Sequence, residues 1–331
     1  MILPKGILLL DIETSGLSRT NDHIISIGMT YQNDLGQVIT QYDFLDDPNQ
    51  EACLLQRFIE LLPLFHTLLC YYGKGFEFPF ILSRLEYLKL DTSLFLKQKL
   101  IDMKKVLKQF SNQRATLENC FHYKRQCTTT GYDVAKLSRT YCKSPLPIYK
   151  TCILAHQKEE MESLLLFWEL YQTLSWAPKW CLNYLQVTSD QLHAFFYIQN
   201  GTFSHNFSGI TSSGLHLEYT KDTQDVQLTF PLYHGILEHT LQPIKDYYYV
   251  ETQHQLMHKT LAQFIPASHK RKATPTECTI QKESTFVPIY RKESSLPSLW
   301  YDENKHLYIE LQDLNASILQ SQIFYLFFQS A

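Results

Sequence analysis

The chain is 331 residues long, 44% hydrophobic and 19% charged, with 21 tyrosines and 20 phenylalanines, which excludes a largely disordered chain and suggests about two globular domains. A formal net charge of -3 excludes a protein coated in basic residues but leaves room for a local basic groove. No run of about 18 apolar residues occurs, so no membrane span is expected, and an N-terminus with one early lysine followed by acids does not read as a signal peptide.

Residues 7–17 (ILLLDIETSGL) run four apolar side chains into Asp11, Ile12 and Glu13 and then into a Thr-Ser-Gly turn, which reads as a buried strand. Alternation puts Asp11 and Glu13 on one face, where two carboxylates repel unless a cation lies between them. The pair therefore points to a magnesium or manganese site, although a strand ending in solvated acids has the same pattern. Residues 23–31 and 38–45 read as two more strands, joined by a hairpin turn at 32–37, so a meander is expected with the acids at one end. Residues 51–62 have helical apolar spacing and Pro63 stops them. The apolar strand 67–72 leads into a glycine turn and a helix opening on Glu77, where a carboxylate suits the helix dipole or a metal. Residues 99–103 form a short apolar piece carrying Asp102, and 104–110, 116–121, 133–141 and 149–173 read as helices. His156 and Glu160 lie one turn apart on the last of these, as a surface contact or a site would place them.

Pro178 and the surrounding tryptophans mark a boundary, dividing the chain into residues 1–174 and a β-rich region, 175–331. Strands are expected at 195–198, 215–219, 226–230, 235–241 and 246–250, a helix at 255–264, a loop at 200–213, a linker at 294–298 and a closing segment at 307–328. Residues 258–292 carry seven basic residues against two acidic ones, a net +5, interleaved with aromatics as suits phosphates and stacked bases. Lys259, Lys270, Arg271 and Lys272 are its candidate nucleic-acid contacts, while a solvated loop with scattered lysines fits the same composition. The eight cysteines show no C-x-x-C pair, which predicts reduced, mostly buried thiols and a cytoplasmic setting.

In order and spacing, the acids resemble those of the DEDD group of RNase H-like 3′–5′ exonucleases, and within it the YprB-like branch. Asp11 and Glu13 in DIETSGL match its first motif, and Glu77 after the Tyr72-Gly73-Lys74-Gly75-Phe76 turn is similar to its second. His156 with Glu160 is similar to its third, and Leu117-Glu118 and Thr130-Gly131-Tyr132-Asp133 to two further elements. Residues 246–250, 258–259 and 270–278 resemble a segment that accompanies this domain in bacterial relatives. The resemblance implies an α/β fold, an RNase H-like mixed sheet flanked by helices, with a β-rich C-terminal accessory region. It also implies two Mg²⁺ or Mn²⁺ ions on Asp11, Glu13, Glu77 and Glu160, His156 as the base, and a single-stranded DNA or RNA 3′ end as substrate. Glu77 and Glu160 stand where the family usually has Asp, and an extra methylene on two ligands can disturb the ~3.5–4 Å spacing of a two-metal site. The rival expectation is a module that binds nucleic acid without cleaving it. A third is a C-terminal interaction platform on a merely structural nuclease half.

Overall fold

The computed structural model describes residues 3–199, 203–293 and 296–328. In the first half, β1 (Ile7–Thr14), β2 (Ile24–Gln32) and β3 (Val38–Phe44) form the expected meander. The strands β4 (Thr67–Cys70) and β5 (Lys99–Asp102) extend it into one mixed sheet of order β3-β2-β1-β4-β5. β1 runs antiparallel to β2 and parallel to β4, so the sheet changes character at the strand carrying the acids. The helices are α1 (Glu51–Leu61), α2 (Glu77–Tyr87), α3 (Ser93–Leu96), α4 (Met103–Val106), α5 (Arg114–Cys120), α6 (Gly131–Lys143) and α7 (Pro147–Ser175). α6 opens with a reciprocal capping box between Thr130 and Asp133, and α7 opens with Pro147, whose missing N–H costs nothing in a first turn.

The two faces of β1 serve different cores. Leu8, Leu10 and Ile12 pack with Leu54, Phe58 and Phe80 of α1 and α2. Leu9 packs the other way, in a cluster with Met161, Leu164 and Phe167 of α7. By strand alternation Asp11 and Glu13 share the face of Leu9 and look toward α7.

In the second half, β6 (Cys181–Val187), β7 (Gln191–Tyr197), β8 (Phe207–Ile210), β9 (His216–Tyr219) and β10 (Asp225–Pro231) form a sheet of order β6-β7-β10-β9-β8. β11 (Tyr233–Thr240) joins a small closed barrel with β15 (Thr279–Ile289), β16 (Trp300–Tyr301) and β17 (Leu307–Glu310), while β12 (Tyr247–Val250), β13 (Gln255–His258) and β14 (Lys270–Lys272) form a third sheet. The expected helix at 255–264 is corrected: its first four residues are β13, and only α8 (Lys259–Ala262) is helical. Tyr248 and Tyr249 pair with Met257 and Leu256 across a hairpin whose turn holds His254 at φ 50°, so strand pairing overrides local periodicity. The loop expected at 200–213 contains β8, anchored by buried Phe207 and paired with β9. The expected linker at 294–298 lies partly outside the described residues. The closing segment is β17 followed by α9 (Ala316–Phe328).

All eight cysteines are free, but only Cys70 and Cys278 are buried, and Cys53 and Cys181 are exposed, which corrects the expectation of mostly buried thiols. The cluster that holds Leu9, Leu69 and Phe167 also holds Phe196, Phe230, Val287 and Phe327, so the core is continuous across both halves of the chain. Among the described residues no helix is long and apolar enough to cross a membrane.

Candidate active site

Asp11 and Glu13 occupy the end of β1, paired across to Gly28 and Ser26 of β2, and the register slips just beyond Glu13. Both are buried. Opposite them, α7 presents His156, Gln157 and Glu160. Gln157, fully buried, accepts from Ser26 Oγ at 2.5 Å and donates from Nε2 to the Asp11 carbonyl at 3.3 Å, fixing the helix against the strands. His156 Nε2 lies 3.5 Å from Glu160 Oε1 and 3.9 Å from Glu13 Oε1.

The third acid comes from the turn after β4. The amides of Gly75 and Phe76 both donate to the Tyr72 carbonyl at 2.9 Å, and Phe78 donates to that of Gly73. A Cβ on Gly75 would stand 2.1 Å from the Tyr72 ring, so the ring lies over the turn only because glycine is there, and a larger residue would push it aside. It delivers Glu77, buried, as the first residue of α2.

Electrostatics divide the acids into two sets. Burial raises the Asp11 carboxyl well above its usual range, with Glu160 and Glu77 adding to the shift. Burial, then Asp11 and Glu160, does the same to Glu13. Burial pushes Glu77 up to about 7. Glu160 goes the other way: burial would raise it, but Arg114 and Arg125 outweigh burial and hold it below the usual range. Both of its oxygens are paired, one with Arg114 Nη1 and the other with Arg125 Nη1 at 2.5 Å. Each arginine also binds Glu118, Arg125 through Nη2 at 2.5 Å and Arg114 through Nε at 3.4 Å, which closes a ring of two cations and two anions. Glu159 holds the loop carrying Arg125 by accepting from the amides of Gln126 and Cys127. Burial, reinforced by Arg125 and Arg114 and opposed by Glu160, lowers the His156 pKa, so its ring is neutral at physiological pH.

The fit to a divalent ion follows from these contacts. Asp11 Oδ2 and Glu77 Oε2 are buried with no hydrogen-bond partner, and three hard-oxygen donors are held at a cost that a cation would relieve. Asp11, Glu13 and Glu77 supply the kind of oxygen donors that such an ion takes. Glu160 already has its charge met by two guanidinium groups. Among the described residues no three His, Cys, Asp or Glu side chains are close enough to hold an ion as they stand, so binding would draw the carboxylates together.

Sequence reasoning missed Arg114, Arg125 and Gln157. Arg114 carried a signal, four residues before Glu118 on a helix. Arg125 carried none, since it comes from an aperiodic loop. The four expected nucleic-acid contacts of the C-terminal region lie together near the third sheet, each with a partner inside the chain. Lys259 pairs with Asp246 at 2.9 Å, Arg271 with Glu277 at 2.5 Å, and the ammonium groups of Lys270 and Lys272 donate to the carbonyls of Ala262 and Lys245.

A family model described as the RNase H superfamily matches residues 8–174. No curated protein matches the chain. Among solved structures, the family B DNA polymerase from the archaeon Pyrobaculum calidifontis is similar at 13% identity and a TM-score of 0.42, over 53% of this chain and 25% of that one. E. coli exonuclease I in complex with a dT13 oligonucleotide is similar at 11% identity and a TM-score of 0.30, over 84% of this chain and 65% of that one. The chain thus spans a quarter of the polymerase and just under two thirds of the exonuclease.

Proposed function

Because the chain belongs to the RNase H superfamily, we propose that it is a metal-dependent 3′–5′ exonuclease of the YprB-like branch, hydrolysing phosphodiester bonds at a single-stranded DNA or RNA 3′ end. One observation carries this reading: Asp11, Glu13 and Glu77 are buried carboxylates with raised pKa values, two of them with an unpartnered oxygen. Burial of that kind is costly without a counter-charge, and a divalent cation is the partner that hard oxygens suit. Mg²⁺ or Mn²⁺ bound there supplies a lowered water pKa and offsets charge on the phosphate.

The remaining work falls to side chains of the chain itself. His156 takes a proton at Nε2, being neutral beforehand, and Glu13 and Glu160 within 4 Å stabilise the imidazolium that results. Gln157 keeps β1 and α7 in register so that acids and base face each other. The two-ion form implied by the resemblance asks Glu160 to act as a ligand, and so to leave Arg114 and Arg125. That grip on Glu160 favours a second reading, a module that binds nucleic acid and does not cut it.

Digestion of 5′-labelled single-stranded DNA and RNA with Mg²⁺ or Mn²⁺ separates the two. A ladder shortening from the 3′ end with wild-type protein, and none with Asp11→Asn, is the outcome expected of the exonuclease. Retention of the oligonucleotide by both proteins, with no cleavage by either, establishes the binding module instead.

A further inference from the structure

Beside the Glu77 turn lies an open depression of about 320 Å³ whose lining includes Tyr72, Lys74, Asp102, Lys104, Lys105 and Lys108. Four lysines face one aspartate there. The aspartate, Asp102, is buried beneath them, its Oδ2 accepting from the Lys74 amide at 3.0 Å and its Oδ1 without a hydrogen-bond partner. Among the described residues the ammonium groups of Lys74, Lys105 and Lys108 make no ion pair, and all three residues are exposed. Lys104 sits 4.1 Å from the centroid of the Tyr72 ring, itself about half exposed. An adjoining cavity adds Lys99 to the same wall. Crowded like charges repel, and they relax when a polyanion brings phosphates to them.

The depression adjoins the turn that delivers Glu77, since Lys74 and Gly75 of its lining belong to that turn. On the far wall, the Asn112 carbonyl accepts from Tyr71 Oη at 3.3 Å, and Arg114, two residues on, stands over the Tyr71 ring and binds Glu160. The basic residues of the C-terminal sheet differ in being paired inside the chain.

We propose that this groove carries the single strand toward the acids, its phosphates on Lys74, Lys104, Lys105 and Lys108 and a base stacked on Tyr72. The proposal rests on the reading of the acidic site as a nuclease centre, and it names the surface that feeds that site.

The test is fluorescence anisotropy of a labelled oligodeoxythymidylate in EDTA, across a salt series, with full-length protein. The triple variant Lys104→Ala/Lys105→Ala/Lys108→Ala is expected to bind at least tenfold more weakly and to lower the slope of log K against log salt by about 2. Tyr72→Ala is expected to lose at least about fivefold with the salt slope unchanged, as removal of a stacking platform should. An unchanged thermal melt of each variant confirms folding. Wild-type affinity and slope in the triple variant overturn the groove while leaving cleavage by wild type untouched. Loss of affinity in a variant lacking Lys259, Lys270, Arg271 and Lys272, with the triple variant unaffected, also overturns it. Wild-type protein that neither binds nor cuts overturns both the groove and the nuclease reading.

Discussion

Three carboxylates held uphill make a pH-dependent expectation at the level of single residues. Glu77 has its pKa raised from an ordinary 4.5 to about 7, and Asp11 and Glu13 are raised as well. A raised acid contributes stability that is fully present below the unfolded pKa and is lost as pH rises through the folded one. Metal-free protein should therefore lose stability between about pH 4.5 and pH 8, with Glu77 alone accounting for on the order of 3 kcal/mol. Added Mg²⁺ should raise the melting temperature more at about pH 8 than at about pH 5.5, and Asp11→Asn should abolish that difference. Equal gains at both pH values in differential scanning fluorimetry would sink the idea of a cation on these carboxylates. Asp11 and Glu13 were legible from sequence because strand alternation is a purely local rule. Arg125 was not, because its meeting with Glu160 depends on a loop that Glu159 holds from a distant helix.

Between elements, the clearest lock is a buried ion pair joining α1 to α2. Arg84 and Glu51 are almost fully buried, with Arg84 Nε 3.0 Å from Glu51 Oε1 and Nη2 2.6 Å from Oε2. Glu51 also accepts from the Ile24 amide and Arg84 donates to the Thr20 carbonyl, which ties both helices to the start of β2 and the segment before it. Arg84→Ala leaves a buried carboxylate without its cation and should cost about 3–5 kcal/mol in urea unfolding. A loss below about 1 kcal/mol would show the pair to be dispensable. Nothing in the sequence signalled this contact, since Glu51 and Arg84 look like ordinary helix acids and bases 33 residues apart. The helices themselves were legible, because α1 has apolar residues at helical spacing and α7 is a long run with no glycine or internal proline to break it. β13 was not, since four residues of a hairpin carry too short a pattern to outvote a helical one.

For the molecule as a whole, α7 is the member both halves share. Its middle turns bear His156 and Glu160, while Phe167, Leu170 and Leu174 sit in the cluster with Phe196, Phe230 and Phe327. Near the same end, Glu169 accepts from the Ser204 and His205 amides and from Tyr219 Oη at 3.2 Å. A fragment ending at residue 174 would expose those apolar side chains and leave Glu169 without its partners. It should lack a cooperative thermal transition by circular dichroism and be cut rapidly by protease, whereas the full chain should melt in one step. A fragment that melts cooperatively at the full-length temperature would refute this. The first sheet was readable almost strand by strand, yet the shared core was not, because composition changes at Trp176 while packing does not.

That arrangement has a consequence for how the chain is born. At about 1.5 Å per residue, the 29 residues of α7 make a rod about 43 Å long. His156 and Glu160, near the middle of that rod, leave the ribosome well before α9, yet the apolar surface that steadies its C-terminal end is completed only by α9, the last described helix. The face bearing the acids is thus not fully backed until α9 has been made, so a product truncated or stalled before α9 would carry the acids without the scaffold that aligns them.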